Sequence, residues 1–370
     1  MAVPLLDLKA QHATIKDEVI TALMDVVSQQ SFILGEPVGK LECELAGLSH
    51  TKYAVGCANG TDAILLALRA LDVGRDDEVI TTPFTFFATG GTVHNVGARP
   101  VFVDIEPRTF NLEPSAVGAA IGDRTKAVIA VDLFGQMAPI EQIVAAAAGR
   151  PVIEDAAQSI GASRRIDGQV VMAGEAAAIG TFSFFPSKNL GGYGDGGMMV
   201  TQDETLFDTL MKLRTHGSRK TYHHELVGYN SRLDTLQAAV LLAKLPHLAS
   251  WSEARRRNAA FYDAAFADVA EVVTPFVDPA NCSIYNQYTL RADRRDALQS
   301  HLQRLSIGHA VYYPVALHLQ PCFAYLGYRE GQCPESERAT REVISLPVFP
   351  ELTTVQRDEV VAAVRSFYGR

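Results

Sequence analysis

Residues 126–157 read KAVIAVDLFGQMAPIEQIVAAAAGRPVIEDAA, in which two apolar runs, KAVIAVDLF and PVIEDAA, flank a segment of helical or turn-forming composition. Short runs rich in β-branched residues, separated by such segments, are typical of βαβ units with parallel strands. Similar runs, KYAVGCA, DEVITTP and PVFVDI, come earlier in the chain. The sequence therefore predicts an α/β fold whose large domain has a mostly parallel central sheet flanked by helices.

Helical patterns and a composition change divide the chain into two predicted domains. NGTDAILLALRALDVG, which ends at Gly74, has apolar residues at helical spacing, and so does LDTLQAAVLLAKLPHL at residues 233–248. We place a boundary there, with a large domain at residues 1–248 and a small α+β domain at residues 249–370. In the small domain NQYTLRA and HAVYYPV predict strands, whereas RDALQSHLQRLSIG and the segment after Thr353 predict helices.

Composition excludes several classes of function. The 370 residues carry a formal net charge of −9, which argues against a nucleic-acid-binding surface. The five cysteines are scattered, and the adjacent histidines at 223–224 lack zinc-ligand spacing, so we expect free thiols and no metal site. No run is long and apolar enough to span a membrane, and the first residues do not resemble a signal peptide. A cytoplasmic protein is expected.

Polar residues follow three of the predicted strands, at the sheet edge where α/β proteins bind ligands. Residues 59–61, Asn-Gly-Thr, stand at a predicted helix start, where free N–H groups can hold a phosphate. Asp155 ends the run PVIED, and Lys188 follows the run GTFSFF. Each has an ordinary alternative when taken alone: a helix cap, a carboxylate facing solvent, or a surface lysine in a loop.

Taken together, the three places fit one cofactor, pyridoxal phosphate. It needs a lysine amine for its aldehyde, a carboxylate beside the pyridine nitrogen, a compact anion site for the phosphate, and an aromatic face above the ring. Lys188, Asp155, residues 59–61 with Ser183, and Phe86 in TPFTFFAT supply these four groups. The joint occurrence of these four groups favours a pyridoxal-phosphate enzyme over a separate ordinary explanation for each group.

The sequence also resembles the DegT/DnrJ/EryC1/StrS sugar aminotransferases, which have the fold-type I pyridoxal-phosphate architecture. The resemblance covers nearly the whole chain and is carried by ordered blocks such as GEPVGKLECELA, VGCANGTDAILLAL, VIEDAAQSIGA, FSFFPSKNLGGYGDGGMM and GYNSRLDTLQAAVLLAKL. It implies an aminotransferase that alternates between pyridoxal and pyridoxamine 5'-phosphate. The family also includes dehydratases with histidine at the reactive lysine position, which Lys188 occupies here.

The resemblance assigns roles to individual residues. Lys188 matches the lysine that forms the internal aldimine and moves protons, and Asp155 matches the partner of the pyridinium nitrogen. Gln158 matches the residue that faces the ring hydroxyl. The other cofactor positions are those at the phosphate, Gly60, Thr61 and Ser183, the stacking Phe86, and Asn230, which in the family reaches the phosphate from a partner subunit. A homodimer with shared active sites is implied, although Asn230 alone reads equally well as a turn residue.

Cationic and aromatic residues are candidates for binding a nucleotide sugar. Clustered positive charge in an acidic protein suits a diphosphate, although the loop RKTYHH at 219–224 also reads as an ordinary solvated loop. The substrate-binding candidates are Arg219, Arg232, His309, Tyr312 and His318, with Tyr313 and the histidines and lysine of residues 216–224 as further candidates. Arg232 is the strongest of them because it lies two residues from Asn230.

Resemblance also suggests the reaction. L-glutamate would donate the amino group, and the acceptor would be the 3-keto position of a UDP-N-acetylhexosamine or its uronic acid, for lipopolysaccharide or another polysaccharide. A dTDP-3-keto-6-deoxyhexose aminotransferase is the main alternative. A pyridoxamine-dependent sugar dehydratase and a non-catalytic sensor of the same fold are weaker alternatives, because Lys188, Asp155 and Gln158 are all present.

Overall fold

The computed structural model describes residues 2–370, which form twelve α-helices and thirteen β-strands. The strands are β1 (Tyr53–Cys57), β2 (Glu78–Thr81), β3 (Arg99–Phe102), β4 (Thr125–Val131), β5 (Val152–Asp155), β6 (Ser163–Ile166), β7 (Gln169–Met172), β8 (Ile179–Ser183), β9 (Gly197–Thr201), β10 (Val272–Val273), β11 (Asn281–Cys282), β12 (Tyr288–Ala292) and β13 (Val343–Leu346). The helices are α1 (Leu8–Gln29), α2 (Glu36–Leu48), α3 (Gly60–Ala70), α4 (Phe87–Asn95), α5 (Pro114–Ala120), α6 (Ile140–Ala146), α7 (Glu204–Leu213), α8 (Thr235–Lys244), α9 (Leu248–Phe266), α10 (Arg295–Arg304), α11 (Pro334–Glu342) and α12 (Thr354–Phe367). No helix among these residues is long and apolar enough to cross a membrane.

Seven strands form the central sheet in the order β1-β9-β8-β5-β4-β2-β3. The pairs from β8 to β3 are parallel, and β9 runs antiparallel to both of its neighbours. The predicted α/β fold with a mostly parallel sheet is confirmed. Both β1 and β8 run antiparallel to β9, and β5 runs parallel to β8. The strands β1, β8 and β5 therefore all end at the same edge of the sheet.

Successive residues of the buried strands enter two different cores. Val128 and Val152 belong to one hydrophobic cluster, whereas Ile129 and Ile153 belong to another. This period of two follows from the alternation of side chains along a strand. Helices therefore cover both faces of the sheet, which fixes the strand ends as the places where polar side chains gather.

The C-terminal part of the chain has its own antiparallel sheet, in the order β10-β12-β13. Its core includes Tyr262, Leu290 and Val360, and it also includes Val3, which forms a parallel bridge to Ile307. The first residues of the chain therefore pack with the segment predicted as the small domain. Helix α12 begins where the sequence predicts, at the capping box made by Thr353 and Gln356.

Two predicted elements differ from the structure. Residues 309–315 were expected to form a strand, but only Ala310 forms an isolated bridge, because the following tyrosine side chains turn toward the central sheet. The helix expected over residues 233–248 ends at Lys244, and a short 3-10 helix with Pro246 separates α8 from α9. The predicted domain boundary thus falls where α9 starts.

Candidate active site

Asp155 is the last residue of β5, and its carboxylate is buried at the ligand-binding edge of the sheet, with 5% of the residue exposed. The Thr89 hydroxyl donates a hydrogen bond to Asp155 Oδ2 at 2.8 Å, and the Ala157 N–H donates to Oδ1 at 3.3 Å. Burial raises the pKa of Asp155, while these two hydrogen bonds and the charge of Lys188 act in the opposite direction. The carboxylate is thus held on both oxygens.

Lys188 lies in the turn that follows β8, with its backbone N–H bonded to the Phe185 carbonyl at 2.8 Å. Burial lowers the pKa of its amine to about 8, and the negative charge of Asp155 opposes this shift. About a tenth of the amine is therefore neutral at pH 7 and about half at pH 8. A neutral amine is the nucleophilic form that attacks an aldehyde.

Side chains from distant parts of the chain hold the loop around Lys188. Asn189 donates to the Ile284 carbonyl at 3.0 Å and accepts a hydrogen bond from the Asn286 amide at 2.9 Å. Further along, the Lys244 amine of α8 donates to the Gly191 carbonyl at 2.6 Å. Sequence reasoning missed these supports because nothing local marks such residues as partners.

The Gln158 side chain is fixed by two partners. Its Oε1 accepts a hydrogen bond from the Phe134 N–H at 2.7 Å, and its Nε2 donates to the Tyr313 hydroxyl at 3.1 Å. The Tyr313 ring packs against Phe84 and Phe86, with centroids 6.1 Å and 6.4 Å away. The second Nε2 proton of Gln158 remains available for a ligand. Tyr313, a minor candidate from sequence, is the tyrosine that reaches this cluster.

The N-terminus of α3 forms an anion cradle beside the end of β8. Asn59 caps the helix by accepting a hydrogen bond from the Asp62 N–H at 2.8 Å. Gly60 and Thr61 are the first two helical residues, so their N–H groups have no carbonyl partner within the helix. A Cβ on Gly60 would lie 2.6 Å from Ser183 Cβ, which explains why glycine is needed there. Thr61 is exposed at the same turn.

Phe86 presents an aromatic face to solvent, since 59% of the residue is exposed although it immediately precedes α4. An aromatic ligand could stack on this exposed ring.

These groups fit pyridoxal phosphate, on the chemistry of the donors present. Lys188 would hold the aldehyde carbon, Asp155 the pyridine nitrogen and Gln158 the ring hydroxyl. The phosphate would be held by Gly60, Thr61 and Ser183, with Phe86 over the ring. The start of α3 offers the free N–H groups of Gly60 and Thr61 close to Ser183, and a phosphate can accept hydrogen bonds from such donors.

Arg232 has no hydrogen-bonding or ionic partner among residues 2–370. It lines a cavity of about 500 Å³ with Asn230, Asn59 and Asp195. The structure thus brings Arg232 and Asn230 together beside the cap of the anion cradle.

The other substrate-binding candidates are already engaged. Arg219 pairs with Asp208 at 2.8 Å, and His318 is buried against Glu337 at 3.0 Å. The His309 ring bonds the nearby Ile307 carbonyl at 2.8 Å, and Tyr312 is partly buried. His318 is therefore enclosed within its own chain, whereas Arg219 remains partly exposed in its surface ion pair.

Comparisons with known proteins identify the family of the chain. The model of the DegT/DnrJ/EryC1/StrS aminotransferase family matches residues 13–365. A "Pleiotropic regulatory protein" of Geobacillus stearothermophilus is 50% identical, covering 100% of this chain and 99% of the relative. A UDP-N-acetyl-3-dehydro-alpha-D-glucosamine 3-aminotransferase of Acidithiobacillus ferrooxidans is 45% identical, covering 98% of this chain and 97% of the relative. A UDP-2-acetamido-2-deoxy-3-oxo-D-glucuronate aminotransferase of Pseudomonas aeruginosa is 44% identical, covering 97% of this chain and 98% of the relative.

The fold comparison extends over the full length. DesV of S. venezuelae, solved in complex with a ketimine intermediate, superposes with a TM-score of 0.96 at 39% identity, covering 100% of this chain and 99% of that one. With the family match over most of the chain, these findings establish that the protein belongs to the DegT/DnrJ/EryC1/StrS aminotransferase family.

Proposed function

We propose that this pyridoxal-phosphate-dependent aminotransferase moves the amino group of L-glutamate to the 3-keto position of a UDP-N-acetylhexosamine or its uronic acid. Two relatives named for 3-keto UDP-sugars, at 45% and 44% identity over nearly the whole chain, support this substrate class. The observation that carries the proposal in the structure is that Arg232 has no partner among residues 2–370 and lines one cavity with Asn230. A guanidinium there suits a diphosphate or a sugar carboxylate.

The cofactor, when bound, supplies the electron sink that stabilises negative charge on the carbon losing a proton. The chain supplies the proton transfers and the orientation. Lys188 Nζ would take the proton from the α-carbon of glutamate in the first half of the reaction and deliver one to C-3 of the sugar in the second. Its lowered pKa, about 8, suits both tasks near neutral pH. Buried Asp155 would keep a proton on the pyridine nitrogen.

We also infer a homodimer in which Asn230 and Arg232 serve the partner's site. Two exposed apolar residues support this. Ile33, whose backbone forms a bridge with the cavity residue Asp234, is 50% exposed, and Val227, three residues before Asn230 in the sequence, is 90% exposed. Large apolar groups left in water favour association. A cytoplasmic location is supported by the five free cysteines, as expected in a reducing compartment.

The test is 2-oxoglutarate formation from L-glutamate with three acceptors: UDP-3-keto-N-acetylglucosamine, the corresponding uronic acid, and a dTDP-3-keto-6-deoxyhexose. We expect turnover with one of the UDP sugars at a kcat/KM at least tenfold above that of the dTDP sugar. Preference for the dTDP sugar would reject the proposed substrate. Tight cofactor binding without turnover of any acceptor would support a sensor of the same fold, and release of ammonia would indicate a dehydratase.

Arg232→Gln tests the role of the unpartnered guanidinium. We expect KM for the preferred UDP sugar to rise at least tenfold with little change in cofactor binding, because a charge-assisted hydrogen bond contributes roughly 1.5–3 kcal/mol. Arg257→Gln is the matched control, since Arg257 is exposed on α9 and paired with Glu253. Equal, small effects of both substitutions would contradict the assignment.

A further inference from the structure

Two threonines at the start of α4 form a buried hydroxyl chain that ends on Asp155. The Thr89 Oγ1 lies 2.8 Å from Asp155 Oδ2, and the Thr85 Oγ1 lies 3.0 Å from the Thr89 Oγ1. Both threonines are almost completely buried. The same helix start carries Phe86, so one short segment presents the aromatic face and also reaches behind it to the carboxylate.

The direction of this chain follows from proton counting. An ionised Asp155 has no proton to give, so Thr89 must be the donor to Oδ2. A hydroxyl has only one proton, so the Thr89 oxygen can only accept from Thr85. The two hydroxyls are therefore polarised in one direction, toward the carboxylate, and each strengthens the next hydrogen bond.

We propose that Thr89, oriented by Thr85, is a positioning residue that holds Asp155 ionised and correctly turned toward the pyridine nitrogen of the cofactor. The proposal rests on the cofactor chemistry of this family but not on which sugar is aminated. Thr89 touches neither substrate nor reacting atoms in this scheme, because it acts through Asp155.

The charged and titratable groups around Asp155 divide into opposing sets. The amine of Lys188 favours the ionised carboxylate, as does the hydrogen bond from Thr89, whereas burial disfavours it. Asp132, whose backbone N–H donates to the Asp155 carbonyl at 3.1 Å, and the Tyr313 phenol also face it. Removing the Thr89 hydroxyl would raise the pKa of Asp155 and leave Oδ2 without its donor.

The experiment measures the equilibrium dissociation constant of pyridoxal phosphate from pH 5.5 to 8.5, by absorbance, for variants of the full-length protein. We expect Thr89→Val, which keeps the side-chain shape, to bind the cofactor at least tenfold more weakly. As the pH is lowered, the affinity of this variant for the cofactor should also begin to fall at a higher pH than that of the wild type. Thr89→Ser restores the hydroxyl and should restore both properties, and Thr85→Val should have a smaller effect in the same direction.

Two further variants separate positioning from packing. Thr92 is equally buried on α4, but its hydroxyl donates to the backbone carbonyls of Ala88 and Thr89, so Thr92→Val should keep the wild-type affinity and pH profile. In an Asp155→Asn background, Thr89→Val should cause little additional loss, because the group through which it acts is gone.

The proposal is overturned if Thr89→Val binds the cofactor with the wild-type affinity and pH profile. It is also overturned if Thr89→Ser loses as much affinity as Thr89→Val, or if the loss in Thr89→Val is undiminished in the Asp155→Asn background. None of these readouts uses a sugar acceptor, so failure of the proposed substrate would leave the result intact.

Discussion

Lys188 is the residue whose ionisation should set the pH dependence of cofactor capture. Only the neutral amine attacks the aldehyde, and burial places the pKa of this amine at about 8. We expect the rate of covalent attachment to cofactor-free protein to rise about tenfold per pH unit below pH 8 and to level off above it. Stopped-flow absorbance of the bound cofactor measures this rate directly.

Asp155→Asn provides the control for that profile. The negative charge of Asp155 raises the pKa of Lys188, in opposition to burial. Removing the charge should therefore move the midpoint of the rate profile below that of the wild type. A wild-type midpoint near 10.5, or an upward shift in the variant, would contradict a buried amine close to this carboxylate.

Sequence could predict the residues of the site that follow strands but not those that support them. Asp155 does end a strand and Lys188 does follow one, as the strand-end rule requires. Thr89 lies 66 positions from its partner Asp155, and Tyr313 lies 155 positions from Gln158. A threonine in the first turn of a helix looks like ordinary capping, so only the folded chain reveals such partners.

At the scale of elements, the N-terminus of α3 should lose its anion site when a single methyl group is added. The Cβ of Gly60→Ala would lie 2.6 Å from Ser183 Cβ, so the helix start and the end of β8 must move apart. We expect affinity for pyridoxal phosphate to fall at least tenfold, because backbone donors must stay in place to bind a phosphate. Equilibrium titration by fluorescence checks this.

Two controls show whether Gly60→Ala weakens the binding of the phosphate group in particular. Affinity for pyridoxal, which lacks the phosphate, should change much less in Gly60→Ala. Gly39→Ala, placed in α2 with no atom within 4 Å of the new Cβ, should leave binding unchanged and stabilise the helix by up to about 1 kcal/mol. An equal loss for both ligands would mean that the substitution disturbs the whole site.

The elements were predictable where local pattern and burial agree. The runs predicted as β1 to β5 are strands, and α3 and α12 begin at the expected capping residues. The hairpin β6–β7, which pairs with β11, has no comparable run and was not predicted. Residues 309–315 have the composition of a strand, but the contacts of Tyr313 with Gln158 and Phe84 override that preference.

Over the whole molecule, residues 283–286 connect the small sheet to the site. The Ser283 hydroxyl donates to the Gly135 carbonyl at 3.0 Å, beside Phe134, which holds Gln158. Asn286 supports Asn189, the neighbour of Lys188. The C-terminal part of the chain therefore supports two of the residues proposed to bind the cofactor, and no local pattern in the sequence could have indicated this dependence.

The overall stability should depend on a buried pair of acids behind the site. Asp132 accepts hydrogen bonds from the Ser159 hydroxyl at 2.7 Å and the Ala138 N–H at 2.8 Å. Glu154 is fully buried, and it lies close enough to Asp132 for each carboxyl to affect the ionisation of the other. Burial raises the pKa of Asp132 to about 6, and burial together with the charge of Asp132 raises the pKa of Glu154.

The sign of the pH effect follows from these shifts. Because the folded state holds these protons more tightly than the unfolded chain, the stabilisation they give is complete below about pH 4 and is lost as pH rises through the folded pKa values. Glu154→Gln removes one of the two ionisable groups of this pair. We expect the variant to unfold at the same urea concentration as the wild type near pH 5 and to be more stable by about 1–3 kcal/mol at pH 8.

Urea unfolding of cofactor-free protein between pH 5 and 9 measures this difference, since the difference between wild type and variant cancels the titration of groups that do not interact with Glu154. Glu253→Gln, an exposed carboxylate on α9, is the control and should give a difference that stays small and constant with pH. If the difference for Glu154→Gln does not grow with pH, the pair does not retain a proton in the folded protein. If it grows as expected, the enzyme carries a buried protonated carboxyl next to Asp155, a carboxylate that must stay ionised, and Asp155 differs in having hydrogen bonds from Thr89 and Ala157 and the charge of Lys188 to favour its ionised form.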